Sequence, residues 1–272
     1  MTTTDFRPAR RLAGDLTTEA RGCLSAVVAL LRRPASRDAS GTGDPRLRPG
    51  VSSQPPVMLV HGLAADRSCF DVMEARLHHE GYTTLSVSYS CRGVGIEECA
   101  RALARDAAWL LARTGSDRVH VIAHSLGGVV LRWAATHTLM RDWVDVAVTL
   151  GSPHRGTPTA RLAPRGLPGF GRIIGQLRPG AFDVGDPDAP GRVRWVAIAA
   201  ELDWVVPVSY AALPESGNVR NAVVPSGGHM SLTTNPHCLS IVLQELATAG
   251  RRLSRPRVPK PIAQLTDSRL VA

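Results

Sequence analysis

Apolar residues along this chain fall into two kinds of run. Val57-Met58-Leu59-Val60, Val119 to Ile122, Val144 to Leu150, Val193 to Ala199 and Val219 to Val224 are short and rich in β-branched residues. That is the pattern of strands, and the first is apolar throughout, as a strand buried on both faces of a parallel sheet must be. Tyr82 to Tyr89 alternates in part and predicts one more strand. Between these runs, apolar positions recur at helical spacing. They do so from Cys69 to His79, closed by Gly81, and at Cys99, Leu103, Ala107, Leu110 and Leu111, stopped at Gly115. The same spacing returns at Leu126, Val129, Val130, Trp133 and Ala134, and again from Cys238 to Ala249. Strands that alternate with helices predict an α/β domain with a mainly parallel sheet covered on both faces.

This rhythm sets the domain boundaries. It begins abruptly at Val57 and ends near Gly250, so 57–250 reads as one globular domain, and 272 residues suffice for one full-sized core. Residues 1–56 read as an N-terminal helix and a flexible linker. Leu24, Val27, Val28 and Leu31 suit an amphipathic helix lying on the body of the protein, and Pro34 to Pro56 is rich in Ser, Gly, Pro and Arg. Residues 251–272, with Pro256, Pro259 and Pro261, read as a basic tail. Inside the domain, residues 156–191 break the rhythm with many Gly and Pro around a short apolar piece, Phe170 to Leu177. A long insertion in a compact domain is usually functional, and a short cap or lid over a site is the expectation.

The net charge of +9 narrows the function classes once it is located. Residues 1–54 hold nine Arg against five acids, and 251–272 hold six Lys or Arg against one. The remaining 55–250 balance at 17 and 17, so a basic groove for nucleic acid is not expected in the domain. The basic tails leave room for peripheral contact with anionic lipid. Five cysteines at irregular spacing, with no CxxC pair, give no structural zinc site. Free thiols are expected, and a Cys91–Cys99 bridge would require an oxidising compartment. No apolar run approaches the ~18 residues of a membrane span. Gly22 to Leu31 has the length of a signal h-region, but Asp15 and Glu19 precede it and Arg32-Arg33 follow, without a well-placed cleavage site. This reading favours the cytoplasm over export, and no feature speaks to oligomeric state.

The candidate chemistry centres on Ala123-His124-Ser125-Leu126-Gly127. A strand ends here and a helix begins, with Ser125 at the turn. A nucleophilic serine needs such a turn so that its hydroxyl stands clear of the sheet, and only small neighbours fit at the flanks. The helix that follows aims its free N–H groups at the place where an oxyanion would form. A helix-capping role is the bland alternative for Ser125.

A serine hydroxyl also needs an imidazole to take its proton and a carboxylate to orient that imidazole. In open α/β sheets such groups sit beyond the carboxyl ends of strands. Asp203 follows the strand Val193–Ala199 and precedes Trp204-Val205-Val206, with Glu201 as the alternate acid. His229 lies beyond the last strand after two glycines, which predicts it as the base in the chain order Ser, Asp, His. His237 reads as a cap or surface residue, His120 as a packed strand residue, and His78, His79 and His137 as solvated helix positions. His124 lines the elbow, too close to Ser125 in the chain to swing into the base position. The oxyanion donors are expected to be the backbone N–H groups of Leu126 and Leu63, with His61 shaping the loop that carries Leu63.

These segments resemble the α/β-hydrolase superfamily, and more closely bacterial lipases and esterases. The resemblance rests on Val57–Leu63, Ala123–Gly128, Val148–Thr157, Asp203 before Trp204-Val205-Val206, and Gly228-His229, which together span about 57–250. The alanine in the elbow is similar to that of small Bacillus lipases, whose likeness also implies Leu63 as an oxyanion donor. Gly-Ser-Pro-His-Arg-Gly-Thr, 151–157, instead resembles larger, lidded triacylglycerol lipases. The insertion 156–191 matches neither, so no acyl chain length carries over, and no calcium or zinc ligands are apparent. The resemblance implies an α/β-hydrolase fold with a short cap and a hydrolase of acyl esters, lipid or acylglycerol-like, that needs no cofactor or metal. An acyltransferase, thioesterase or amidase would use the same three residues. A silent scaffold that binds a membrane or partner through its tails would use none of them.

Overall fold

The computed structural model describes residues 46–163, 168–187 and 193–253. The expected helix around Leu24–Leu31, Cys23, most of the linker and the tail beyond residue 253 lie outside them.

Seven strands form one sheet: β1 (Arg46–Arg48), β2 (Val57–Val60), β3 (Thr84–Ser86), β4 (Val119–His124), β5 (Val144–Leu150), β6 (Arg194–Ala200) and β7 (Val219–Val224). Their order is β1-β3-β2-β4-β5-β6-β7, antiparallel between β1 and β3 and parallel elsewhere. The helices are α1 (Asp71–His79), α2 (Ile96–Thr114), α3 (Leu126–His137), α4 (Met140–Trp143), α5 (Gly171–Gln176), α6 (Val208–Ala211) and α7 (Pro236–Leu253).

Side-chain alternation along the strands builds two cores. Met58, Val60, Val121, Ala123 and Ala147 face one side, against Leu103, Ala107 and Leu110 of α2 and Val129, Val130 and Ala134 of α3. Val57, Leu59, Ile122, Val146, Val148 and Ile198 face the other, against Met73 and Leu77 of α1 and Val242 and Leu246 of α7. The central strands are thus apolar on both faces because each face carries helices. Gly115 closes α2 in the left-handed conformation at φ 69°, as the sequence predicts.

Two differences from the sequence reading have local causes. The sheet extends into the expected linker, because Arg46-Leu47-Arg48 pairs with β3, and Arg48 lies 3.6 Å from the buried carboxylate of Glu74. Glu74 also accepts hydrogen bonds from Thr84 and Ser86, both at 3.0 Å. A charged tripeptide becomes an edge strand through a partner on α1, and no periodicity signals that. The strand expected over Tyr82–Tyr89 shrinks to three residues, since Tyr89 leaves the sheet and donates from its hydroxyl to the His61 carbonyl at 2.6 Å.

Of the insertion, Phe170, Ile173, Ile174 and Leu177 are buried in the α2–α3 core. Arg172 pairs with Glu98 at 2.6 Å, and Gln176 accepts from the Ile96 N–H at 2.9 Å while donating to Glu97 at 2.8 Å. The apolar piece of the expected cap is therefore a helix docked on the first turn of α2.

Three buried histidines tie stability to pH. Burial pushes His120 down to about 4 and His124 to about 3, and it holds His154 well below the ordinary imidazole range. Unfolded, each takes up a proton near pH 6.5, whereas the native state does not. Stability is therefore full above about pH 6.5 and falls as the pH drops toward 4, by roughly 1.4 kcal/mol per pH unit for each histidine. The urea midpoint of unfolding is expected to fall between pH 6.5 and 4.5, with a shallower slope in His120→Phe. A midpoint flat across that interval would contradict this burial assignment.

Candidate active site

Strand β4 delivers the elbow. Ser125 sits between β4 and α3 at φ 55°, ψ −126°, a left-handed conformation costly for a residue with a side chain. The strain persists because the surroundings over-determine it. The Ser125 N–H donates to the Leu150 carbonyl at 2.8 Å, and the helix that starts at Leu126 runs close over β2. A Cβ at Gly127 would lie 2.5 Å from the Val60 carbonyl oxygen, so only glycine permits that approach.

The structure brings Ser125, Asp203 and His229 together. Nε2 of His229 lies 2.9 Å from Ser125 Oγ, and its Nδ1 lies 2.8 Å from Asp203 Oδ2. Asp203 and His229 are buried, and the chain of hydrogen bonds ends at the half-buried Ser125. The second carboxylate oxygen of Asp203 accepts from Val205 N–H at 2.8 Å and Val206 N–H at 2.7 Å. Those two donors fix the rotation of the carboxylate, so that Oδ2 faces the ring. With a carboxylate acceptor at Nδ1, the neutral imidazole carries its proton there and leaves Nε2 as the base toward Ser125. Glu201, the alternate acid, is exposed on the turn after β6 and makes no hydrogen bond to His229 among the described residues.

The expected oxyanion donors lie in the first turn of α3 and on the loop after β2. Leu126 is the first residue of α3, where a backbone N–H has no acceptor within its own helix. Leu63 lies on the loop after β2, just before Ala64, which holds φ at 58°. On the same loop, the His61 ring stacks on Tyr89 with centroids 4.5 Å apart, and its Nδ1 lies 2.9 Å from the Gly62 carbonyl oxygen. His120 is fully buried on β4, and His237 sits exposed at the start of α7.

Two residues matter here that the sequence reading passed over or placed too loosely. Gly151, at φ 55°, lies beneath the acid–base pair, where a Cβ would fall 3.1 Å from both Asp203 Oδ2 and His229 Nδ1. The glycine at the exit of β5 was the available signal. The sequence places His124 at the elbow, and its ring also reaches the loop of His229.

The free cysteines among the described residues are Cys69, Cys91, Cys99 and Cys238. No group of three or more His, Cys, Asp or Glu among those residues is arranged to hold a metal ion. No described helix is long and apolar enough to cross a membrane.

A sequence model described as the alpha/beta hydrolase fold matches residues 55–183. No curated protein sequence matches the chain. Among solved structures, a mature lipase of Bacillus licheniformis is similar with a TM-score of 0.64 at 18% identity, over 74% of this chain and 97% of that one. An esterase of Rhodococcus is similar with a TM-score of 0.57 at 17% identity, over 76% of this chain and 94% of that one. A thermophilic esterase of Thermogutta terrifontis gives 0.57 at 16% identity, over 75% and 93%. Likeness at such identity speaks for the fold alone.

Proposed function

On the premise that this chain has the α/β-hydrolase fold, we propose that it is a serine carboxylic-ester hydrolase, a lipase or esterase working through an acyl-enzyme. The observation that carries the reading is the continuous hydrogen-bond chain from Asp203 through His229 to Ser125 at a strained strand-to-helix turn.

The steps follow from the groups present. Ser125 Oγ attacks the ester carbonyl carbon as its proton passes to His229 Nε2, and the carbonyl electron pair moves onto oxygen. The N–H groups of Leu63 and Leu126 hold that oxyanion. Asp203 stabilises the imidazolium. The electron pair returns, the bond to the alcohol oxygen breaks, and His229 hands its proton to the departing alcohol. Water then attacks the acyl-enzyme with His229 again as base, which releases the acid and restores Ser125.

Two exposed apolar side chains on the loops after β5 and β6 support acyl or lipid-like esters. Leu162 in the insertion and Trp204 beside Asp203 are exposed at 84% and 70%. Their loops are joined by hydrogen bonds from Thr157 and Thr159 to the Val205 carbonyl, at 2.5 and 2.9 Å. Large exposed apolar side chains on the loops that follow β5 and β6 suit a substrate with a hydrocarbon arm.

The test is hydrolysis of p-nitrophenyl esters from acetyl to palmitoyl by the purified wild-type chain, with and without an added alcohol. Turnover to free acid is expected, with a chain-length optimum. Ester cleavage that yields only the transferred ester would make the protein an acyltransferase, and no turnover at any length would contradict the reading.

A further inference from the structure

His124 precedes the nucleophile by one residue and is almost wholly buried, at 2% exposure. Its Nε2 lies 3.0 Å from the carbonyl oxygen of His229, across 105 positions of chain. A carbonyl only accepts, so Nε2 of His124 carries the proton and donates. The two imidazole rings stand 4.8 Å apart, tilted by 46°. On the far side of the ring, Nδ1 has no hydrogen-bond partner among the described residues. It faces the loop after β2, where a Cβ at Gly62 would come within 3.4 Å of it and 2.8 Å of the Ser125 Cβ. A proton on Nδ1 would have no acceptor, and burial beside His229 pushes His124 down to about 3. The ring therefore stays neutral and in one tautomer throughout the working pH range.

His124 thus touches all three parts of the site. It adjoins Ser125 through the chain, it packs against the loop carrying Leu63, and it hydrogen-bonds the residue that serves as base. The His229 loop is also tied to the turn of Asp203, where the Leu202 N–H donates to the Gly227 carbonyl at 3.0 Å, but that contact lies two residues before the base. The loop follows Ser226 at φ 54°, and His229 itself leads into a single turn of 3-10 helix, Met230–Thr233. The carbonyl bond to His124 acts on the backbone of the base itself, where a misplacement of about 1 Å costs on the order of 100-fold in rate.

We propose that His124 is a positioning residue, whose Nε2–H holds the His229 carbonyl and so keeps the His229 ring in line between Asp203 and Ser125. The inference rests on the hydrolase reading above. His124 neither takes nor gives a proton during turnover, and its effect reaches the substrate only through His229.

Three variants test it. His124→Phe keeps a ring and removes the donor, His124→Gln places an amide N–H near the position of Nε2, and His124→Asn keeps an amide too short to reach. Fluorophosphonate labelling rate, kcat, KM and the low-field proton resonance of the His229–Asp203 hydrogen bond are read for each. The Phe and Asn variants are expected to lose about 30- to 100-fold in kcat and labelling rate with KM changed less than about two-fold. Their low-field resonance is expected to broaden. The Gln variant should recover most of both. If Phe fails to fold, Asn against Gln carries the same comparison. Wild-type rates in Phe or Asn, or equal losses in Gln and Asn, would overturn the positioning role while leaving a reactive wild type and the hydrolase reading intact. A wild type that neither labels nor turns over ester would overturn both.

Discussion

Asp203→Asn is expected to lower kcat by about four orders of magnitude while the protein stays folded. The cause is the direction of one amide. Asp203 Oδ1 accepts from the Val205 and Val206 N–H groups at 2.8 and 2.7 Å. In the variant, the asparagine oxygen must stay on those donors, because turning the NH2 group toward them would set donor against donor in a buried position. The NH2 then faces His229 Nδ1 and donates to it. His229 is forced to carry its proton on Nε2, toward Ser125, and the base is lost without any change of shape. Steady-state hydrolysis alongside thermal melting checks this. A loss under about ten-fold would mean that the carboxylate does not set the tautomer.

Ser125→Ala has the larger expected effect, a fall in kcat of about five to six orders of magnitude. Any residual rate would come from bound water and the oxyanion donors, which the substitution leaves in place. The variant also relieves nothing of the turn, since alanine at φ 55° meets the same steric cost as serine. Stability should therefore change little, so that chemistry and folding separate cleanly. Wild-type turnover in this variant would place the nucleophile elsewhere.

Much of the architecture was legible because the sheet is central and parallel. Strands covered on both faces need mostly apolar runs, and Val144–Leu150 has the bounds its pattern predicts. Edge and exit features were not legible in the same way. Arg46–Arg48 joins the sheet through Glu74 and the hydroxyls of Thr84 and Ser86, contacts that no local period encodes. The docking of α5 likewise depends on Arg172 and Gln176 finding Glu97, Glu98 and the Ile96 N–H about eighty residues away.

The site divides along the same line. Ser125 announces itself through a local turn, and Asp203 and His229 through their places at strand exits, where the fold gathers polar groups. The second function of His124 is tertiary. A residue beside the nucleophile looks spent on the elbow until the His229 carbonyl arrives opposite its Nε2. Gly151 is similar, since its lack of a side chain matters only once the acid–base pair lies over it.

The central claim is that His229 activates Ser125. Reaction of the wild-type chain with a fluorophosphonate, followed by peptide mapping and by rates for wild type and His229→Ala, tests it most directly. A single adduct on Ser125, formed at least about a thousand-fold more slowly in the variant, is the predicted result. An adduct on another residue, or equal rates with and without the imidazole, would contradict it.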